Sequence, residues 1–469
     1  MKIFDWRIDM KIRLVEPAPA GVHVFSKFKL PRLGLPMIGA SLIEKGHDVI
    51  IYVLDLAPVD WDDLLSADLV GFSATTSTVN QAYDMADRLR LNGVPVIIGG
   101  PHVTFMIEEA LRHVDYVAVG EQGNRIMLEL IAYLGGKGSL ETIPGISYKR
   151  KGVVIHNPIG GKIENLDDLP FPDLTLIKNH QKITTTPIMT SWGCPFDCNF
   201  CSVTAMFGKK YRYRSAEKVI EEIKSKRATN IFFYDDNLAA NTQRLKILLK
   251  MMIDQKLRIR WSAQMRIDVV RDLELLDLMS KSGAWLVYLG LESVSQATLN
   301  SFHKSQKVEE IIRAVELLHQ YGIGAHGMFV LGADTDQSTV VKDTVDFALK
   351  YKLDTIMPNI LTPLPGTELY QELESRNRIF DNNWNHYDAH HVVFRPKNMS
   401  PYELQNEIIK GYVRFYALRR VISAVFTLQK MKIALRSWGY STVRAWRKDD
   451  RNKKYLKSLK RLRLPKKQT

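Results

Sequence analysis

Between residues 10 and 135, short apolar runs alternate with amphipathic stretches. KIRLVEP, HDVIIYVLD, ADLVGFSAT, VPVIIGG and DYVAVGE are rich in Val and Ile and lack polar alternation, which predicts strands buried on both faces. Helical spacing falls between them at about 31–46, 79–93 and 104–112. This α/β alternation predicts a doubly wound parallel sheet, Rossmann- or flavodoxin-like. Ligands of such sheets sit beyond the carboxyl ends of the strands, here residues 73–78, 99–102 and 120–123. Ser73, Thr75 and Thr76 offer hydroxyls at those ends, and Gly99, Gly100 and Gly120 allow close backbone approach. Ordinary turn chemistry is the competing account of the same residues.

Residues 146–182 read as a small hairpin and a proline- and acid-rich linker, closing a first domain at 1–145. A second alternating run follows, with strands TPIMTSW, NIFFYDDN, RIRWSAQMR, WLVYLGLES, AHGMFVLG and DTIMPNILTPLPG. Helices are expected between them at roughly 215–228, 241–256, 270–283, 306–321 and 336–351. Six such units predict a full or partial (βα)6 barrel of TIM type over 183–380. Residues 381–469 read as a helical, basic C-terminal module.

The chain has 469 residues, enough for two large domains and a smaller one. Its 45% hydrophobic and 25% charged content excludes disorder and a multi-span membrane protein. Charges run through residues 1–15, so no signal peptide is expected. Three cysteines make no disulfide framework, and a reducing, cytoplasmic setting is the expectation. Residues 410–469 hold 19 Lys or Arg against two acids, so the formal +14 of the whole leaves residues 1–409 at −3. A near-neutral body argues against nucleic acid as a partner. The tail itself fits three descriptions: a surface resting on anionic lipid, a nucleic-acid contact, or a solvated basic terminus.

All three cysteines lie in SWGCPFDCNFCSV, as Cys194, Cys198 and Cys201 directly after the first predicted barrel strand. Three thiolates on one short loop can bind three irons of a 4Fe–4S cube and leave the fourth iron open. Zinc would want a fourth protein ligand, and the nearest histidine along the chain is His180, before the strand.

This loop resembles that of the radical S-adenosylmethionine (SAM) enzymes, and the resemblance covers about 183–375. In that family the open iron holds SAM, whose reductive cleavage gives a 5′-deoxyadenosyl radical. The resemblance implies SAM contacts at Phe200, at Asp236 and Asn237 in YDDN, at Gln264 and Arg266, and at Glu292. It assigns no catalytic side chain. The elements PRLGLPMIGASLIEKGHDV, VGFSATTS, VIIGGPHVT and YVAVGEQG resemble the cobalamin-binding domain that precedes the barrel in one radical-SAM class. That likeness implies cobalamin contacts at Ser73, Thr75, Thr76, Gly99, Gly100, His102, Gly120 and Glu121. The chain has no Asp-x-His-x-x-Gly loop to ligate cobalt, as is also true of that class.

The resemblance therefore implies methyl transfer to an unactivated carbon, with a small-molecule or lipid-like substrate as in the hopanoid methylases. It also implies an external electron donor of flavodoxin or ferredoxin type. Ring formation or oxidation without methyl transfer, as in the anaerobic porphyrin cyclases, is an alternative. A cobalamin-binding sensor without catalysis is another. Two weaker signals are set aside. Gly322, Gly324 and Gly327 satisfy G-x-G-x-x-G but follow a helix and precede a strand, the reverse of a dinucleotide site. His386, His390 and His391 sit in a polar segment where no second metal is expected; Trp384 and Tyr387 either roof a pocket or anchor a loop.

Overall fold

The computed structural model describes residues 9–21, 29–426 and 430–462. Five strands of the first sheet are parallel: β1 (Lys11–Glu16), β2 (Asp48–Val53), β3 (Leu69–Ser73), β4 (Val96–Gly99) and β5 (Tyr116–Ala118). Their order is β2-β1-β3-β4-β5, so the winding reverses between β1 and β3 and opens a crevice there. Both faces are covered, which is why these strands show no polar alternation. Ile12, Leu14, Leu69 and Ile97 pack with Leu42 and Met127 on one side. Val15, Val70, Phe72 and Ile98 pack with Ala82 and Leu89 on the other.

Two local readings change. The single helix expected at 104–112 is two short ones, Pro101–Phe105 and Ile107–Ala110, broken where Met106 takes φ −127° and ψ 48°. The hairpin β6 (Ile146–Arg150) and β7 (Val153–His156) pairs antiparallel onto β5, with Tyr116 opposite Tyr148, and so extends the first sheet. The chain then returns across the sheet, where Ile177 bridges to Ile51.

The second sheet is parallel throughout. It contains β8 (Thr186–Ile188), then, after the short antiparallel pair β9 (Ser191–Trp192) and β10 (Arg212–Tyr213), β11 (Asn230–Phe233), β12 (Arg260–Met265), β13 (Ala284–Glu292), β14 (Gly324–Leu331) and β15 (Thr355–Ile360). Order runs from β8 through β11 to β15 without a β15–β8 pair among the described residues, giving a partial barrel. Its helices start where side chains cap them: Ser215, Asn241 and Asp272 accept from the backbone N–H of Lys218, Arg244 and Leu275. Phe233, Trp261, Val287, Ala325 and Phe329 form the wall against those helices. The glycine-rich segment at 322–327 is the turn from the helix Val308–Gln320 into β14, as expected.

Beyond the barrel, the helix Pro401–Phe415 leads to Tyr416, whose hydroxyl bonds both the N–H and the C=O of Ile356. The helices Lys430–Lys448 and Asp450–Leu459 bury Val443, Trp446, Tyr455 and Leu459, so the described part of the basic tail is folded onto the body. Trp384 reaches back to the first domain, donating Nε1–H to Glu109 at 3.0 Å, and Asn383 pairs with Asn80 at 2.9 Å. No helix of the described residues is long and apolar enough to cross a membrane.

Candidate functional site

The β9–β10 ribbon brackets the cysteine loop. Gly193 opens it at φ +83°, and a side chain there would collide with the carbonyl of Lys210. Within the loop the Cys201 N–H donates to the Cys198 carbonyl at 3.0 Å. Phe200 stands edge-on to Phe302, and the Arg266 guanidinium lies 3.7 Å above the Phe196 ring. Cys194, Cys198 and Cys201 are all partly exposed and free of disulfides. Burial pushes all three thiols above their ordinary range, Cys201 to about 12, while Arg266 and Lys304 pull Cys194 and Cys198 back down. Such thiols become thiolates when a cation binds them. Among the described residues no His, Cys, Asp or Glu group is drawn tight enough for a single ion. A 4Fe–4S cube makes no such demand, because each thiolate binds a different iron.

Side chains from the carboxyl ends of the next strands surround this loop. Asp235 is fully used: its buried carboxylate accepts from the Thr190 N–H, the Thr190 hydroxyl at 2.8 Å and the Ser191 hydroxyl, tying β8 to β11. Asp236 makes no such bonds; its side chain is exposed at the cavity wall, where desolvation by the surrounding protein together with the Asp235 charge raises its carboxyl to about 7. Asn237 is buried with its Oδ1 unpartnered, a polar atom left for a ligand. Gln264 is half-buried on β12 beside Tyr288 of β13. Arg266 is buried behind the loop and reaches the Ser305 carbonyl at 3.4 Å. Glu292 sits at φ +60° where the β13–β14 register shifts, and its carboxylate meets the Lys304 ammonium at 2.6 Å. Lys304 was missed in the sequence, where it is one lysine in a polar loop with no spacing signal.

A cavity of about 700 Å³ lies between this assembly and the first sheet. Ser73, Thr75, Gly99, Gly100, Gly120 and Glu121 line it from the first domain; Trp192, Phe207, Tyr234 and Asp236 line it from the barrel. Gly100 takes φ +111°, and a Cβ there would sit 2.5 Å from the Ala74 carbonyl oxygen. Thr76 and His102 do not line the cavity. Thr76 is buried, and the His102 ring turns to the opposite layer, edge-on to Trp384, with Nε2 3.3 Å from Glu109. Glu121 is committed to an ion pair with Arg212 of β10. Arg32, which the sequence did not single out, also lines the cavity and donates to the Ser73 carbonyl at 2.7 Å. With His102 turned away, the described lining mixes hydroxyls, backbone, apolar side chains and a few charged and amide groups but holds no histidine, which suits a corrinoid held without a histidine on cobalt.

These features define a protein in which a doubly wound parallel sheet faces, across a cavity, a barrel loop of three thiols. The description "Radical SAM superfamily" matches residues 188–348, and "B12 binding domain" matches residues 22–128. An uncharacterized methyltransferase of Pyrococcus horikoshii is 32% identical over 433 residues, covering 88% of this chain and 94% of that protein. Bacteriochlorophyllide d C-12(1)-methyltransferase of Chlorobaculum tepidum is 29% identical, covering 81% of each chain. The solved structure of the radical SAM methyltransferase TsrM from Kitasatospora setae, with cobalamin and a [4Fe-4S] cluster bound, shares the fold at a TM-score of 0.65 and 17% identity, covering 78% of this chain and 74% of that one. The chain belongs to the cobalamin-dependent radical SAM methyltransferase family. Its cofactors are a 4Fe–4S cluster, SAM and cobalamin.

Proposed function

We propose that this enzyme transfers a methyl group to an unactivated carbon of a small, largely apolar substrate. When bound, the cluster with SAM supplies a hydrogen-abstracting 5′-deoxyadenosyl radical, and cobalamin supplies the methyl group. Cys194, Cys198 and Cys201 hold the cluster. Phe200, Asp236, Asn237, Gln264, Arg266 and Glu292 surround SAM, with Asn237 Oδ1 as the buried acceptor awaiting a donor. Ser73, Thr75, Gly99, Gly100 and Gly120 form the cobalamin surface. The first domain in this reading extends through the β6–β7 hairpin.

The observation that carries the proposal is the shared cavity. Residues at the carboxyl ends of both sheets line one space, so a methyl donor and the radical source can act on one substrate. Leu33, Met37, Met189, Trp192 and Phe207 give that space an apolar wall, which supports an apolar or lipid-like substrate and keeps water from a radical. Electrons come from an external flavodoxin or ferredoxin.

The test is anaerobic turnover with methyl-deuterated SAM, followed by mass spectrometry. A product carrying the deuterated methyl group is expected. A product formed without label would assign the chemistry to ring closure or oxidation.

A further inference from the structure

The tail contains a second cavity with a different character. A groove of about 460 Å³ is lined by Val413, Ala417, Leu418, Tyr440 and Val443, with Arg444, Arg447 and Lys448 along one side. All three cations are exposed, and among the described residues none of them forms an ion pair. Acid is absent from residues 419–448, which carry eight Lys or Arg.

Next to the groove the surface is apolar. Leu418 and Ile422, one helical turn apart on the helix Leu418–Phe426, are 51% and 47% exposed. Large apolar side chains left in water among unpaired cations mark a contact surface. We infer that this face docks on an anionic lipid bilayer. Phosphate headgroups meet Arg444, Arg447 and Lys448, while Leu418 and Ile422 enter the interface. Lipid fits better than RNA because the two exposed apolar side chains beside the groove are aliphatic and offer no face on which a base can stack.

Tyr416 also lines the groove, and its hydroxyl is anchored to Ile356 at the start of β15, the barrel end opposite the cysteine loop. The docking face is therefore separate from the catalytic mouth. Its function is to hold the enzyme at a membrane, and it does not depend on the identity of the methylated substrate.

The experiment is sedimentation of the full-length protein with phosphatidylcholine vesicles, with and without phosphatidylglycerol, at low and high salt. Binding only to the anionic vesicles, weakened by salt, is expected. Arg444→Gln with Arg447→Gln should weaken it about fivefold per cation removed. Leu418→Asp with Ile422→Asp should weaken it independently, at exposed positions whose replacement leaves the melting temperature unchanged. Equal binding to neutral vesicles, or none to either, overturns the proposal. So does binding to RNA that the arginine changes abolish and the aspartate changes leave intact, or self-association that accounts for the sedimentation.

Discussion

Glu121 and Arg212 join the first sheet to the β9–β10 ribbon through a buried two-point ion pair. Arg212 Nη2 lies 2.8 Å from Glu121 Oε2, Nη1 meets Oε1, and the side chains are 1% and 6% exposed. Glu121 stands at the carboxyl end of β5 on the cavity wall, and Arg212 belongs to the ribbon beside the cysteine loop. The same guanidinium also donates to the carbonyls of Ile163 and Phe207. The pair thus holds the cavity wall of the first domain against the ribbon that carries the cysteine loop.

Removing one partner leaves the other charge buried and alone, which costs roughly 3–5 kcal/mol. Arg212→Met should lower the melting temperature and weaken cobalamin binding. The double change Glu121→Met with Arg212→Met should recover part of the stability, because no charge remains unpaired. Thermal unfolding of both variants checks this. An additive double mutant would show that the pair is not coupled.

Glu292 and Lys304 are predicted to act together behind the SAM site. Lys304→Met should strand the buried Glu292 carboxylate and weaken SAM binding by roughly tenfold or more, a loss of about 1.4 kcal/mol. Equilibrium dialysis with SAM on the reconstituted protein measures it. Retention of full affinity would place Glu292 outside the SAM contacts.

Asp236 makes the cluster-free protein more stable in acid. Its carboxyl titrates near 7 when folded against 3.8 as the ordinary value, so the folded state holds an extra proton between those limits. The contribution is complete below about pH 4 and is lost as pH rises through 7, and it is reduced by solvent screening because the side chain is exposed. Asp236→Asn should flatten that part of the stability profile. Chemical unfolding at pH 5, 6, 7 and 8 gives the comparison, and parallel profiles would contradict the assignment.

Asp235 has a different role from its neighbour. Asp235→Ala would leave the Thr190 and Ser191 donors buried without an acceptor, and should destabilise the fold by about 3 kcal/mol or more. Cys198→Ala, at a partly exposed site, should leave the unfolding midpoint nearly unchanged while abolishing cluster absorbance. Unfolding curves of the two variants separate the structural acid from the cluster ligand.

Much of this organisation is legible in the chain. Val- and Ile-rich runs identify the parallel strands because burial on both faces removes polar alternation, and the spacing of Cys194, Cys198 and Cys201 identifies their loop without any structure. Contacts distant in sequence are not legible. His102 follows a glycine pair at a strand end, yet its direction is decided by Trp384 and Glu109 on the far side of the sheet. Glu121 lines the cavity, but its pairing with Arg212, distant along the chain, leaves no mark in the sequence. Arg32 and Lys304 carry no spacing signature, since their importance comes from the partners that folding brings to them. The hairpin looked independent because strand pairing to β5 leaves no mark in the hairpin's own residues.

The most direct test is the yield of 5′-deoxyadenosine from SAM, measured under strict exclusion of oxygen with a chemical reductant. Protein reconstituted with iron and sulfide should release it, and Cys194→Ala, Cys198→Ala and Cys201→Ala should each release none. An iron-loaded wild-type protein that leaves SAM intact, or a cysteine variant that still cleaves it, would contradict the account.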